Sequence, residues 1–126
     1  MNPMVLCYNI RPEKLGRLRV LALRLGIGVR VVEPEKFGLP VGALAGVLNA
    51  PETVEEAEPF SDEMLVMAHF RPGMLDEFLN GFRQSRIPPV KLKAMLTETN
   101  AGWSGARLHR EIRAEHEQME AMRKKK

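Results

Sequence analysis

Two stretches of the chain are similar and lie 60 residues apart, which restricts the fold more than any other feature. The first is MVLCYNIRP, from Met4 to Pro12, and the second is MLVMAHFRP, from Met64 to Pro72. In each, an apolar run ends in an Arg-Pro pair, and apolar positions continue to correspond through the next segment. Such internal similarity predicts a duplicated strand–helix–strand unit.

The two halves of each predicted unit differ in polarity. Val5–Ile10 and Met64–Phe70 are almost continuously apolar, which is typical of strands buried on both faces. Pro12 and Pro72 follow them, and proline suits the first turn of a helix. Each unit is therefore predicted to begin with a buried strand and to continue as a helix.

The second strands are predicted at 29–32 and 90–96, where apolar residues alternate with basic ones. Alternation is typical of edge strands, so the first strands take the centre of the sheet. The pattern predicts an α+β fold of the ferredoxin-like split type, a duplicated βαβ with a four-stranded sheet and both helices on one face. A small doubly wound α/β sheet is the alternative.

We predict a single compact domain over residues 1–122. Its parts are a first repeat at 4–34, an insertion at 35–61, a second repeat at 64–97, a C-terminal helix at 104–122 and a basic tail at 123–126. Val41–Leu48 predicts a short inserted helix, and Ser104 is expected to cap the last helix. The sheet face opposite the two long helices needs a cover, which we expect from the short helix, the last helix or a second subunit.

The charge and cysteine content restrict the partners and the compartment. The net charge is +3, but Arg123–Lys126 supply four positive charges, and the rest of the chain carries −1. A charged tail argues only weakly for nucleic acid. No apolar run is long enough to span a membrane, and the N-terminus has no signal-peptide pattern. The single cysteine suits a reducing compartment, so we expect a cytoplasmic protein.

Several segments together carry a family resemblance. They are MVLCYNI, RLGIGVRVVEPE, PVGALAG, EPFSDEMLVMAHF and LKAMLTETNAGW. With them the chain resembles, from about Met4 to Glu117, a bacterial family described as domain of unknown function 3783. The resemblance implies one compact cytoplasmic bacterial domain, and it implies no activity, cofactor or catalytic residue.

One cluster between the last strand and the last helix is a candidate ligand-binding site. Its members are Lys93, Thr97, Thr99, Asn100 and Trp103. Hydroxyls, an amide and the backbone N–H groups of a helix start suit an anion, with the indole as one wall. The competing interpretation is a capped turn in which Trp103 anchors the last helix.

The remaining reactive side chains do not predict a catalytic or metal site. His109 and His116 lie seven residues apart on one helix face, but Arg113 lies close to that face and would repel a cation. Cys7 lies within an apolar strand, and Asp62 is interpreted as a strand-entry residue. We therefore expect no catalytic residue, no metal and no cofactor.

The sequence favours a non-catalytic module for ligand binding or for protein interaction and regulation. Its partner would be an unidentified small molecule or protein, and a homodimer stays open. The alternative is an RNA-binding domain that uses an open sheet face. Arg30, Lys91 and Lys93 would lie on its edge strands, with Tyr8 or His69 between them.

Overall fold

A computed structural model of the protein describes residues 1–54 and 56–124. Glu55 of the acidic run, and Lys125 and Lys126 of the predicted basic tail, lie outside the described residues. The elements in chain order are β1 (Met4–Tyr8), α1 (Pro12–Leu25), β2 (Gly28–Val32), α2 (Val41–Leu44), β3 (Met64–Ala68), α3 (Met74–Gln84), β4 (Leu92–Met95) and α4 (Gly105–Lys124).

The four strands form one mixed sheet in the order β2-β1-β3-β4. β1 runs parallel to β2 and β3 parallel to β4, whereas the two central strands are antiparallel. At the middle of the central pair, Leu6 lies opposite Val66. The predicted α+β class is confirmed, and the two strands that are apolar throughout lie in the centre as predicted.

The strand pairing departs from the predicted ferredoxin-like arrangement in one respect. A split βαβ unit has a strand of the other unit between its own two strands. Here β1 pairs directly with β2, and β3 pairs directly with β4, so neither unit is split. The antiparallel central pair also differs from the alternative, a doubly wound parallel sheet. Apolar patterning selects the central strands but does not select the edge strand that pairs with each.

One face of the sheet is covered by α1 and α3, as predicted. The helices meet where Leu21 of α1 contacts Gly81 of α3, a position with no room for a larger side chain. Both helices pack on alternate residues of the central strands. Those strand residues are Val5, Cys7, Leu65 and Met67.

The other face is covered by the insertion and by α4. Phe37, Val41 and Leu44 of the insertion and Leu108 of α4 belong to the same buried cluster as the strand residues. Those strand residues are Leu6, Tyr8, Met64 and Val66, and all four are fully buried. The expected cover is thus supplied within one chain. Tyr8 is buried under it, so the open sheet face that the RNA-binding alternative requires is not present.

Backbone conformation explains where two predicted helices differ from the observed ones. The inserted helix ends at Leu44 instead of continuing to Leu48, because Gly46 has a left-handed φ of 82°. The second long helix begins at Met74 and not at Pro72, because Gly73 precedes it with a φ of 84°. The last helix begins as predicted, since the backbone N–H of Arg107 donates to Ser104 Oγ at 3.1 Å.

Candidate functional sites

Asn100 organises the turn in which the sequence predicted a ligand site. Its Oδ1 accepts from the backbone N–H of Thr97 at 2.9 Å, and its Nδ2 donates to the carbonyl of Met95 at 3.0 Å. Its own backbone N–H donates to Thr97 Oγ1 at 3.2 Å. The Asn100 side chain is thus buried and engaged at both ends, as a capped turn requires.

The other predicted ligand residues lie in different environments. Thr99 is exposed, and the Trp103 ring lies 4.3 Å from the guanidinium carbon of Arg107. The ammonium of Lys93 donates to the carbonyl of Val90 at 2.6 Å, on the sheet face that carries α3. Burial lowers the pKa of Lys93. The structure therefore brings Thr97 and Asn100 together and places Lys93 apart from them; ligand binding by this set stays a prediction.

A groove next to that turn is lined mainly by apolar side chains. We call it the β3–β4 groove, because it lies where these two parallel strands end. It has a volume of about 560 Å³ and is open to solvent along one side. The lining residues are Val47, Leu48, His69, Phe70, Met95, Leu96, Thr97, Glu98 and Ala101. The carboxyl ends of parallel strands are a common location for binding sites.

Two contacts hold the walls of the β3–β4 groove. His69 follows β3 in a left-handed conformation, with φ of 62°, and its Nε2–H donates to the carbonyl of Ala45 at 3.1 Å. The backbone N–H of Gly42 donates to the carbonyl of Ala101 at 2.8 Å. A Cβ at Gly42 would lie 2.7 Å from that oxygen, so only glycine permits this approach. The insertion is thereby fixed against the strand ends.

Near the start of β3, at the other end of that strand from the groove, an aromatic stack joins the end of the insertion to α4. The Phe60 ring stacks on the Phe37 ring, with centroids 4.5 Å apart, and on the His109 imidazole, which is almost parallel to it with centroids 4.0 Å apart. His109 Nε2 lies 2.8 Å from Asp62 Oδ2, and the guanidinium of Arg113 lies 3.4 Å from the same oxygen. Sequence reasoning missed this cluster, because 47 residues separate Asp62 from His109.

Next to this cluster, Glu63 occupies the N-terminal end of α1. Its carboxylate accepts from the backbone N–H of Arg11 at 3.0 Å and from the ammonium of Lys14 at 2.6 Å. A carboxylate is favoured here by the helix dipole. Burial alone would raise the pKa of Glu63, but the hydrogen bonds from Lys14 and Arg11 and their charges outweigh it and lower the pKa. This helix start is thus occupied by the chain itself.

The Glu63→Gln variant should be less stable than the parent at neutral pH, and the difference should shrink on acidification. The folded-state pKa of Glu63 lies below its ordinary value of 4.5, so its stabilisation is present above that pH and is lost as the pH falls through the folded-state pKa. Urea unfolding of both proteins between neutral pH and pH 3 measures this, with Glu111→Gln as a control at an exposed carboxylate. A constant difference across that range would contradict the assignment.

The other candidate reactive groups are constrained by their surroundings. Burial raises the pKa of the Cys7 thiol to about 12, an effect that the charge of Arg19 only partly offsets, so the thiol is protonated at neutral pH. Within residues 1–54 and 56–124, no three histidine, cysteine or carboxylate side chains converge as metal ligands would.

None of the helices in this part of the chain combines the length and the apolar character needed to cross a bilayer.

These features define a small α+β domain of two adjacent βαβ units, with both sheet faces covered and an open groove at the ends of β3 and β4. One segment of the chain, residues 63–119, matches the model of a family described as a domain of unknown function (DUF3783). It spans β3, α3, β4 and most of α4, a little under half of the chain, and the resemblance is confirmed there. Neither a curated protein nor a solved structure matches the chain.

Proposed function

We propose that the protein is a non-catalytic binding module whose β3–β4 groove holds a short segment of a protein partner. The observation that carries this proposal is the exposed apolar wall of the groove. Val47 and Leu48 are 39% and 45% exposed, and they lie beside the half-buried Phe70 and Leu96. Apolar side chains gathered in an open concavity are typical of a surface that a partner covers.

The shape and charge of the β3–β4 groove favour a peptide segment. Small-molecule sites usually enclose most of the ligand, whereas this groove is open along one side. Among the described residues, Glu98 is the only carboxylate in its lining. A segment with a large apolar side chain next to a lysine or arginine would match both features.

The two units differ in what lies at the strand ends, which supports assigning binding to the second one. We propose that they are an internal repeat: Asn9 and His69 occupy matching positions after the central strands, with left-handed φ angles of 58° and 62°. Asn9 Nδ2 donates to the carbonyls of Phe60 and Asp62, so the chain itself covers the first position. At the second position, His69 contacts the carbonyl of Ala45, and the groove beside it is open to solvent.

A peptide-binding assay tests the proposal. The labelled probe is Ac-Ala-Leu-Leu-Lys-Lys-NH₂, followed by fluorescence anisotropy. We expect Leu48→Asn to weaken its binding roughly tenfold or more, because the variant replaces part of the apolar wall with a polar amide and adds no charge. Leu23→Asn is the matched control, since Leu23 is 82% exposed on α1 and is not among the residues that line the β3–β4 groove.

The charge preference is tested separately with the variant Glu98→Lys. We expect it to favour Ac-Ala-Leu-Leu-Glu-Glu-NH₂ over the lysine peptide, whereas the parent prefers the lysine peptide. If neither peptide binds the parent, or if Leu48→Asn and Leu23→Asn bind the lysine peptide equally well, the groove is not a peptide site of this chemistry.

A further inference from the structure

The apolar stripe of α4 continues beyond the part of the helix that the sheet supports. Leu108 is buried and Ile112 is half-buried against the sheet. The same stripe, with alternating steps of four and three residues, then passes through Glu115 to Met119 and Met122. Met119 is 63% exposed and Met122 is 68% exposed. The second half of α4 therefore presents an apolar stripe with no partner among the described residues.

Two residues of opposite charge flank Met119 along the axis of α4. Glu115 lies one turn before Met119, and Arg123 lies one turn after it. Neither forms an ion pair within the described part of the chain, whereas nearby Arg113 pairs with Glu117 and His116 with Glu120. The exposed stripe is therefore bordered by an acidic residue at one end and a basic residue at the other.

We propose that this half of α4 pairs antiparallel with the α4 of a second copy of the chain. With Met119 at the twofold axis, Glu115 of each helix lies opposite Arg123 of the other, and this gives two equivalent ion pairs. A parallel pair would instead place Arg123 beside Arg123. Charge complementarity thus selects both the partner, a second copy, and its orientation.

The expected dimer is weak and reversible. The overlapping part of each helix, residues 114–124, is about 16 Å long at 1.5 Å per residue, which gives an interface smaller than the standard protein–protein interface. The β3–β4 groove lies on other elements, so the inference goes beyond the proposed function and does not depend on it.

Sedimentation equilibrium over a wide range of protein concentration tests the pairing. The parent is expected to shift from monomer to dimer as concentration rises. We expect Met119→Glu and Glu115→Arg each to weaken self-association about tenfold or more, because the first charges the apolar contact and the second places arginine opposite arginine. Leu23→Glu on α1 is the control and should associate as the parent does.

The double variant Glu115→Arg/Arg123→Glu distinguishes this specific pairing from non-specific self-association. It restores opposite charges across the twofold axis, so its dissociation constant should return to within about threefold of the parent value. A parent that is monomeric at every concentration would overturn the proposal, as would a double variant no better than Glu115→Arg. Association that Leu23→Glu abolishes and Met119→Glu does not would assign the contact to another face.

Discussion

Replacing Gly105 with alanine is expected to lower the free energy of unfolding by about 2–3 kcal/mol, in the range of overpacked cores. The new Cβ would lie 2.6 Å from Cε2 of Tyr8 and 2.9 Å from its Cζ and hydroxyl oxygen. The Tyr8 ring is fully buried and packs against Phe37 and Phe60, with centroids 5.5 and 5.9 Å away, so moving the ring would disrupt these contacts. Relief requires α4 to move off the sheet.

Urea unfolding of Gly105→Ala measures this loss, and Gly16→Ala is the matched control. Gly16 lies within α1, where an added Cβ meets no atom within 4 Å, so alanine there should stabilise the protein by about 0.5–1 kcal/mol through helix propensity. Equal stabilities of the two variants would show that α4 does not pack against Tyr8 as described.

Replacing Asn100 with alanine should be about as costly, at about 2–3 kcal/mol. The substitution removes two part-buried hydrogen bonds, to the backbone N–H of Thr97 and to the carbonyl of Met95, and leaving a buried group unsatisfied costs about 1–3 kcal/mol. The same change should loosen the β3–β4 groove, since Thr97 and Met95 both line it. Binding of the lysine peptide should therefore weaken together with stability.

Thr99→Ala is the control for Asn100→Ala in both thermal and urea unfolding. Thr99 lies in the same turn but is exposed, so we expect a change within about 0.5 kcal/mol. Asn100→Asp keeps an acceptor for Thr97 and loses the donor to Met95, and it should be destabilised as well. If Asn100→Ala is as stable as Thr99→Ala, the turn does not depend on these hydrogen bonds.

The sequence predicts the elements of this fold better than their pairing. Continuous apolar runs at β1 and β3 predict strands buried on both faces, and both strands are almost wholly buried. The same pattern is compatible with split and with adjacent βαβ units, because both place these two strands in the centre. Tertiary contacts determine which central strand each edge strand pairs with, and local patterning does not predict this pairing.

Local patterning also fails to predict which face of the sheet each residue around β4 occupies. Alternation from Val90 onward predicted Val90 and Leu92 on one face, yet Val90 belongs to the core under α1 and α3, and Leu92 belongs to the core on the other face. The observed strand begins at Leu92. Pro88 and Pro89 impose an extended segment before it, so alternation does not continue back to Val90.

The candidate sites divide in the same way between local and long-range contacts. Thr97 and Asn100 interact within one turn, and their residue types predict it. The groove wall depends on His69 and Ala45, which are 24 residues apart, and no local pattern links them. Val47 and Leu48 were predicted as part of a helix, and their exposure follows from the early end of α2.

Amide NMR spectra of the parent protein, recorded during titration with Ac-Ala-Leu-Leu-Lys-Lys-NH₂, test the proposed binding function most directly. We predict saturable shifts at the groove-lining residues 47–48, 69–70 and 95–98, with little change at Val20 and Leu23, which are exposed apolar residues of α1. The absence of shifts, or shifts confined to α1 or to the end of α4, would contradict a peptide-binding role for the β3–β4 groove.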